Sequence, residues 1–251
     1  MILEGKIAVV TGAAQGIGEE IARVFAEQGA TVICTDIMEE KVKGVAAGIS
    51  SSGGKAQGLR MDITDIDDVQ SCMAGIAEKY GSLDIMVNSA ALCRNIPILE
   101  TSLEVFRQIH EVNVLGTFIV TQTAGRIMAR QGKGKIINIG SCSGKKPCED
   151  EVAYGSSKLA VIGITQVAAL ELGQYGVRCN VICPGSTDSE MLRANLLKTP
   201  EDIENYVKGT ALRRLSQPRD QANVALFLAS DMSDHLTGVV LVSSSGEFFD
   251  L

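Results

Sequence analysis

Short β-branched runs alternate along this chain with longer stretches of helical period, and that alternation limits the fold more than any other feature. Residues 7–10, 31–34, 85–87, 136–139, 177–183 and 239–242 read as buried strands. Residues 16–28, 38–52, 66–80, 103–130, 152–175 and 217–229 read as helices. Near-continuous apolar strands imply burial on both faces, the pattern of a parallel sheet with helices above and below it. The alternation therefore predicts an α/β, Rossmann-type doubly wound parallel sheet of about seven strands. No proline-rich linker, repeat or low-complexity tract marks a boundary, so residues 1–251 are expected to form one domain. A polar excursion over 186–215, with a helix start at Thr199-Pro200-Glu201-Asp202, follows the 177–183 strand and is expected to cover a ligand crevice.

Composition excludes several function classes. The chain of 251 residues carries a formal net charge of −7, which disfavours binding to nucleic-acid phosphates. No apolar run approaches the ~18 residues of a membrane span, and the N-terminus has no signal-peptide architecture, so a cytoplasmic protein is expected. The seven cysteines are odd in number, widely spaced and without a C-x-x-C pair. Reduced thiols are the simplest reading. Cys93, Cys142, Cys148 and Cys183 fall near the expected crevice, but small apolar cysteines are commoner there than redox sensors. His110 and His235 are too few and too isolated to hold a metal.

Between the first strand and first helix stands Thr11-Gly12-Ala13-Ala14-Gln15-Gly16-Ile17-Gly18. Glycine permits a tight turn, lets backbone approach a pyrophosphate and lets the helix pack closely on the strand. The helix N-terminus then offers N–H groups and the positive end of its dipole to the phosphates. This strand–turn–helix context is what gives a glycine triplet meaning. Asp36 follows the second strand, where a carboxylate would accept from the adenosine ribose hydroxyls and repel a 2′-phosphate. No arginine or lysine lies in 13–15, so NAD is expected in preference to NADP.

The G-x-x-x-G-x-G spacing resembles that of the short-chain dehydrogenases/reductases, and further motifs follow in their order along essentially the whole chain. Asp62 and Ile63, in Met61-Asp62-Ile63, resemble the family's adenine-binding segment. Asn88-Ser89-Ala90-Ala91 stands where the family reads N-N-A-G. Asn113, Ser141, Tyr154-Gly155-Ser156-Ser157-Lys158 and Pro184-Gly185 match its helix asparagine, its serine, its Y-x-x-x-K and its proline–glycine turn. The resemblance implies that Gly12, Gln15, Gly16, Ile17, Gly18, Asp36, Asp62, Ile63, Asn88, Tyr154, Lys158, Pro184, Gly185, Thr187 and Ser189 meet the dinucleotide. Ser189 takes the place of a threonine that bonds the carboxamide in the family, with Thr187 as the alternative. Two departures stand out: Ser89 and Ala91 within N-N-A-G, and Ser243-Ser244-Ser245-Gly246 where V-D-G-G is usual. The second puts the quaternary arrangement in question, although the family implies a homodimer or homotetramer.

Tyr154 and Lys158 are four residues apart in a helical segment and share a face. A phenol of pKa ~10 works as a base near neutrality only if lowered by about three units, or about 4 kcal/mol. An ammonium at ~4 Å in an effective dielectric of ~20 supplies about that much, less a part lost to desolvation that the positive ring of an oxidised nicotinamide can make up. The resemblance therefore implies that Tyr154 exchanges the hydroxyl proton and Lys158 lowers its pKa. Ser141 would orient the substrate oxygen, and Asn113 would hold a water linking Lys158 to solvent. Ser143 is the rival serine. A bare Y-x-x-x-K pair usually marks a solvated helix face; here the glycine turn and Ser141, thirteen residues earlier, supply its context.

The implied reaction is hydride transfer between NAD and a small secondary alcohol or ketone: a polyol, cyclic diol or hydroxy acid. A catalytically silent NAD-binding sensor or scaffold of the same fold is the other class considered. Arg94, Lys145, Lys146 and Arg193 fall at the expected substrate mouth, and cations there would suit an anionic substrate. Solvated loop cations are the plainer reading. The Gly176–Val181 stretch leading into Pro184-Gly185-Ser186-Thr187-Asp188, with Arg94, is locally similar to 2,3-dihydro-2,3-dihydroxybenzoate dehydrogenases, which act on a carboxylated cyclic diol.

Overall fold

The computed structural model describes residues 1–195 and 199–248. Its strands are β1 (Ile7–Thr11), β2 (Thr31–Asp36), β3 (Lys55–Arg60), β4 (Ile85–Asn88), β5 (Gly134–Ile139), β6 (Val177–Pro184) and β7 (Val240–Ser243). They form one seven-stranded sheet in the order β3-β2-β1-β4-β5-β6-β7, with every neighbouring pair parallel.

Side chains of one strand alternate between faces, and the sheet builds a core on each. Ala8 and Val10 of β1 pack with α1 (Gly16–Glu27), α2 (Glu39–Ser51) and α9 (Pro218–Ala229), around Phe25 and Ile21. Ile7 and Val9 face the opposite layer of α3 (Ile66–Tyr80), α5 (Thr117–Gln131) and α6 (Val152–Leu172), around Met73, Met128 and Ile136.

The third strand is the element the apolar pattern misses. β3 reads Lys-Ala-Gln-Gly-Leu-Arg and lies at the sheet edge, half-exposed along its length, so no apolar run announces it. The helical stretch 103–130 also differs from expectation. It is α4 (Leu103–His110), a π-helical segment Glu111–Gly116, and then α5. Such a widened turn often marks a functional position, and Asn113 sits within it. Beyond β6 come α7 (Glu190–Asn195) and α8 (Pro200–Gly209), the latter opened by a reciprocal Thr199–Asp202 capping box. Of the 186–215 excursion, 196–198 lie outside the described residues.

β1 pairs with β2 on one side and β4 on the other, so the chain reverses its direction of travel across the sheet between them. The crevice beyond the carboxyl ends of these two strands is where open α/β sheets bind ligands. No helix among the described residues is long and apolar enough to cross a membrane.

Candidate active site

The β1–α1 turn forms one wall of this crevice. Gly12 has a φ of 64°, and a Cβ there would stand 2.7 Å from the Ala90 Cα. A Cβ at Gly18 would collide with the Gly12 carbonyl oxygen. Thr11 holds the turn against the end of β4, its Oγ1 accepting from the Ser89 and Ala90 amides at 3.1 and 3.2 Å. Gln15 provides no side-chain cap for α1, so the first-turn amides of Gly16, Ile17 and Gly18 are left without that acceptor. An uncapped twelve-residue helix whose entry only glycine can line suits a pyrophosphate.

Asp36 closes β2 and is buried. Its Oδ2 accepts from the Ala14 amide and its Oδ1 from the Met38 amide, at 3.2 and 3.0 Å. A carboxylate has about four acceptor sites, so two ribose hydroxyls can still be taken up. Asp62 lies beyond β3, where Oδ1 accepts from the Thr64 amide and hydroxyl; these bonds hold its carboxyl below the usual range. Ile63 is buried against Gly116. The side chain of Asn88 turns away from the crevice. Its Nδ2 donates to Asn138 Oδ1 and Thr121 Oγ1 inside the core, leaving the main chain of the segment to face a ligand.

Ser141, Tyr154 and Lys158 meet at the far wall. Ser141 follows β5 and caps a short turn, its Oγ accepting from the Ser143 amide at 3.1 Å. Its side chain is close enough to the Tyr154 phenol to lower the phenol's pKa. Ser143 acts instead on the Cys148 thiol, so Ser141 is the serine that influences the tyrosine. Lys158, only 3% exposed, donates from Nζ to the Ile139 carbonyl at 2.8 Å. That Nζ lies 5.7 Å from the Tyr154 ring centre.

The expected lowering of the Tyr154 pKa by Lys158 is not what these residues alone produce. Burial pushes Tyr154 up, with Cys93 adding to the rise and Ser141 opposing it. Burial also brings Lys158 down to about 8. Desolvation is the largest influence on both groups. Asn113 is 1% exposed and its amide is engaged with protein groups. Oδ1 accepts from the Leu92 amide, while Nδ2 donates to the Leu92 carbonyl and to Ser157 Oγ. The side chain thus fastens the loop after β4 to α6.

Pro184 ends β6, and the Gly185 amide donates to Ser243. Thr187 is buried, its hydroxyl donating to the Gly185 carbonyl and accepting from Gln221. Ser189 Oγ accepts from the Leu192 amide at 3.4 Å, which leaves its own hydrogen to donate. Both residues line a cavity of about 530 Å³ together with Ser141, Tyr154 and Lys158.

Arg94, Lys145 and Arg193, expected at the substrate mouth, do not line this cavity. Arg94 is exposed. Arg193 is held in a two-bond ion pair by Asp188, at 2.6 and 2.8 Å. Lys146 does reach the cavity, but so do Glu149, Asp150, Glu151 and Glu247, and among the described residues the lining is acidic on balance. Sequence reasoning passed over these acids and Tyr206 of α8. A carboxylate three residues before Tyr154 at the start of its helix was a usable signal, because that spacing brings side chains together.

A family model described as enoyl-(acyl carrier protein) reductase matches residues 12–247. Oxidoreductase UcpA of Salmonella typhimurium is 38% identical over 97% of this chain and 95% of its own length. The 2,3-dihydro-2,3-dihydroxybenzoate dehydrogenase of Bacillus subtilis is 35% identical over 94% of this chain and 93% of its own. Among solved structures, a 7α-hydroxysteroid dehydrogenase complexed with NADH and 7-oxo glycochenodeoxycholic acid superposes with a TM-score of 0.93. It is 35% identical and covers 97% of this chain and 94% of its own.

Proposed function

Because the chain belongs to the short-chain dehydrogenase/reductase family of oxidoreductases, whose cofactors are nicotinamide dinucleotides, we propose that it transfers hydride between NAD and a small secondary alcohol or its ketone. The observation that carries this reading is the convergence of Ser141, Tyr154 and Lys158 on one cavity that adjoins the glycine turn. Asp36 favours NAD, since a 2′-phosphate would meet its buried carboxylate.

In oxidation, Ser141 receives the substrate hydroxyl and orients its oxygen beside Tyr154. Tyr154 takes the hydroxyl proton as the base, and returns one to the carbonyl oxygen in the reverse direction. The oxidised nicotinamide would supply the hydride acceptor and a positive charge that favours the phenolate. Lys158 adds its own positive charge from beneath, anchored to Ile139, and is placed to hold the nicotinamide ribose. Ser189, with a hydroxyl hydrogen free to donate, suits the carboxamide. Asn113 is a positioning residue: it fixes the loop after β4 against the catalytic helix.

The substrate is a polyol, a cyclic diol or a hydroxy acid, and the Bacillus subtilis relative is named for a cyclic diol. The acidic lining favours an uncharged member of that set. Subunit pairing is part of the proposal. Leu159, Val167 and Leu170 of α6 stand exposed, the last at 83%, beside Phe118 of α5. A groove of about 820 Å³ runs between the two helices. Light scattering is expected to give a dimer or tetramer, and a monomer at micromolar concentration contradicts it.

NADH formation over a panel of secondary alcohols, with NAD against NADP and wild type against Tyr154→Phe, tests the reading. It fails if no alcohol is oxidised, or if the phenylalanine variant is equally active.

A further inference from the structure

Glu151 is the least accounted-for group in the cavity. It stands at the entrance of α6, three residues before Tyr154, and is 8% exposed. Its Oε1 accepts from Asn95 Nδ2 at 3.0 Å. Its Oε2 is buried and has no hydrogen-bond partner among the described residues. A buried carboxylate oxygen without a donor costs more than the same oxygen in water, so a half-paired acid in a ligand cavity points to a donor that arrives with the ligand.

The position is built rather than incidental. Asn95 and Ile96 tie the loop after β4 to this corner twice, through Glu151 Oε1 and through the Ile96 amide to the Asp150 carbonyl at 2.7 Å. Ser141 and Tyr154 line the same cavity. A substrate with its reacting oxygen at Tyr154 therefore presents neighbouring atoms to Glu151.

We propose that Glu151 Oε2 accepts a hydrogen bond from a second hydroxyl of the substrate, so that the enzyme selects diols over mono-alcohols. This rests on the dehydrogenase reading above and adds the substrate class to it. A hydroxyl satisfies Oε2 as a neutral donor, and the amino alcohol in the test below distinguishes it from an ammonium. A carboxylate substrate would meet Glu149, Asp150 and Glu151 together. The electrostatic influence of Glu151 is felt at both Tyr154 and Cys93, which agrees with its closeness to the reacting centre.

The test compares kcat/KM with NAD for cyclohexanol, cyclohexane-1,2-diol and 2-aminocyclohexanol in wild type, Glu151→Gln and Glu151→Met. NADH affinity by fluorescence reports whether each variant is folded. Wild type is expected to prefer the diol to cyclohexanol by about tenfold or more. Glu151→Met should bring that ratio close to one, Glu151→Gln should fall between, and all three should bind NADH alike. An equal loss on diol and cyclohexanol in Glu151→Met overturns the proposal, as does wild-type preference for the amino alcohol. If wild type binds NADH yet oxidises none of the three alcohols, the dehydrogenase reading is what fails, and the proposal falls with it.

Discussion

Lys158 Nζ donates to the carbonyl of Ile139, the last residue of β5, at 2.8 Å. The bond anchors a buried ammonium to the sheet, and burial brings its pKa down to about 8, against about 10.4 for an exposed lysine. Between those values the unfolded chain binds the proton and the folded chain does not. This group's contribution to stability therefore rises with pH across that window, and below it the charged lysine costs stability. Lys158→Met is expected to be the more stable protein at pH 7, by on the order of 1–3 kcal/mol. The gap should close as pH approaches about 10.5. Urea midpoints of the two proteins at pH 7 and pH 10 check this, and a constant gap contradicts it.

Asp36 divides its carboxylate between the Ala14 and Met38 amides at the edge where a ribose would lie. Asp36→Asn keeps an acceptor but removes the charge. The ratio of kcat/KM for NADP to that for NAD is expected to rise by about tenfold or more. An unchanged ratio would remove Asp36 from cofactor choice.

Thr11 Oγ1 serves the Ser89 and Ala90 amides together. Thr11→Val keeps the shape and leaves two amides without their acceptor, at a cost of about 1–3 kcal/mol. NADH affinity should weaken as well, because the same clamp sets the spacing of the glycine turn. Calorimetry and a fluorescence titration check the pair; a stable variant with undiminished affinity contradicts the clamp.

Burial pushes the thiols of Cys34, Cys93, Cys142 and Cys179 up to about 12 and that of Cys72 up to about 11. Cys148 is the exposed thiol, and no cysteine among the described residues is disulfide-bonded. A disulfide reagent at pH 8 should label one thiol per chain rapidly, and Cys148→Ser should abolish that phase. A fast phase that survives the substitution contradicts this ordering.

What could be read from sequence was what depends on neighbours in the chain. The β1 run, the glycine turn and the four-residue step from Tyr154 to Lys158 are local patterns, and each stands where it was expected. β3 escaped because an edge strand buries too little to be apolar. The surroundings of the cations expected at the mouth were not legible because they depend on loop geometry, as when Asp188 captures Arg193. Glu151 escaped because its burial and its half-paired state depend on Asn95, fifty-six residues away. The Tyr154–Lys158 arithmetic allowed desolvation only a part of the ammonium's effect, whereas in the folded chain burial is the largest influence on both groups.

Hydride transfer with Tyr154 as the proton acceptor is tested most directly by isotope. A secondary alcohol carrying deuterium on its carbinol carbon is turned over with NAD, and the NADH formed is examined by mass spectrometry. The account predicts deuterium in the NADH from wild type, and a loss of kcat of about a hundredfold or more in Tyr154→Phe with NADH affinity retained. NADH without deuterium, or a phenylalanine variant as fast as wild type, would contradict it.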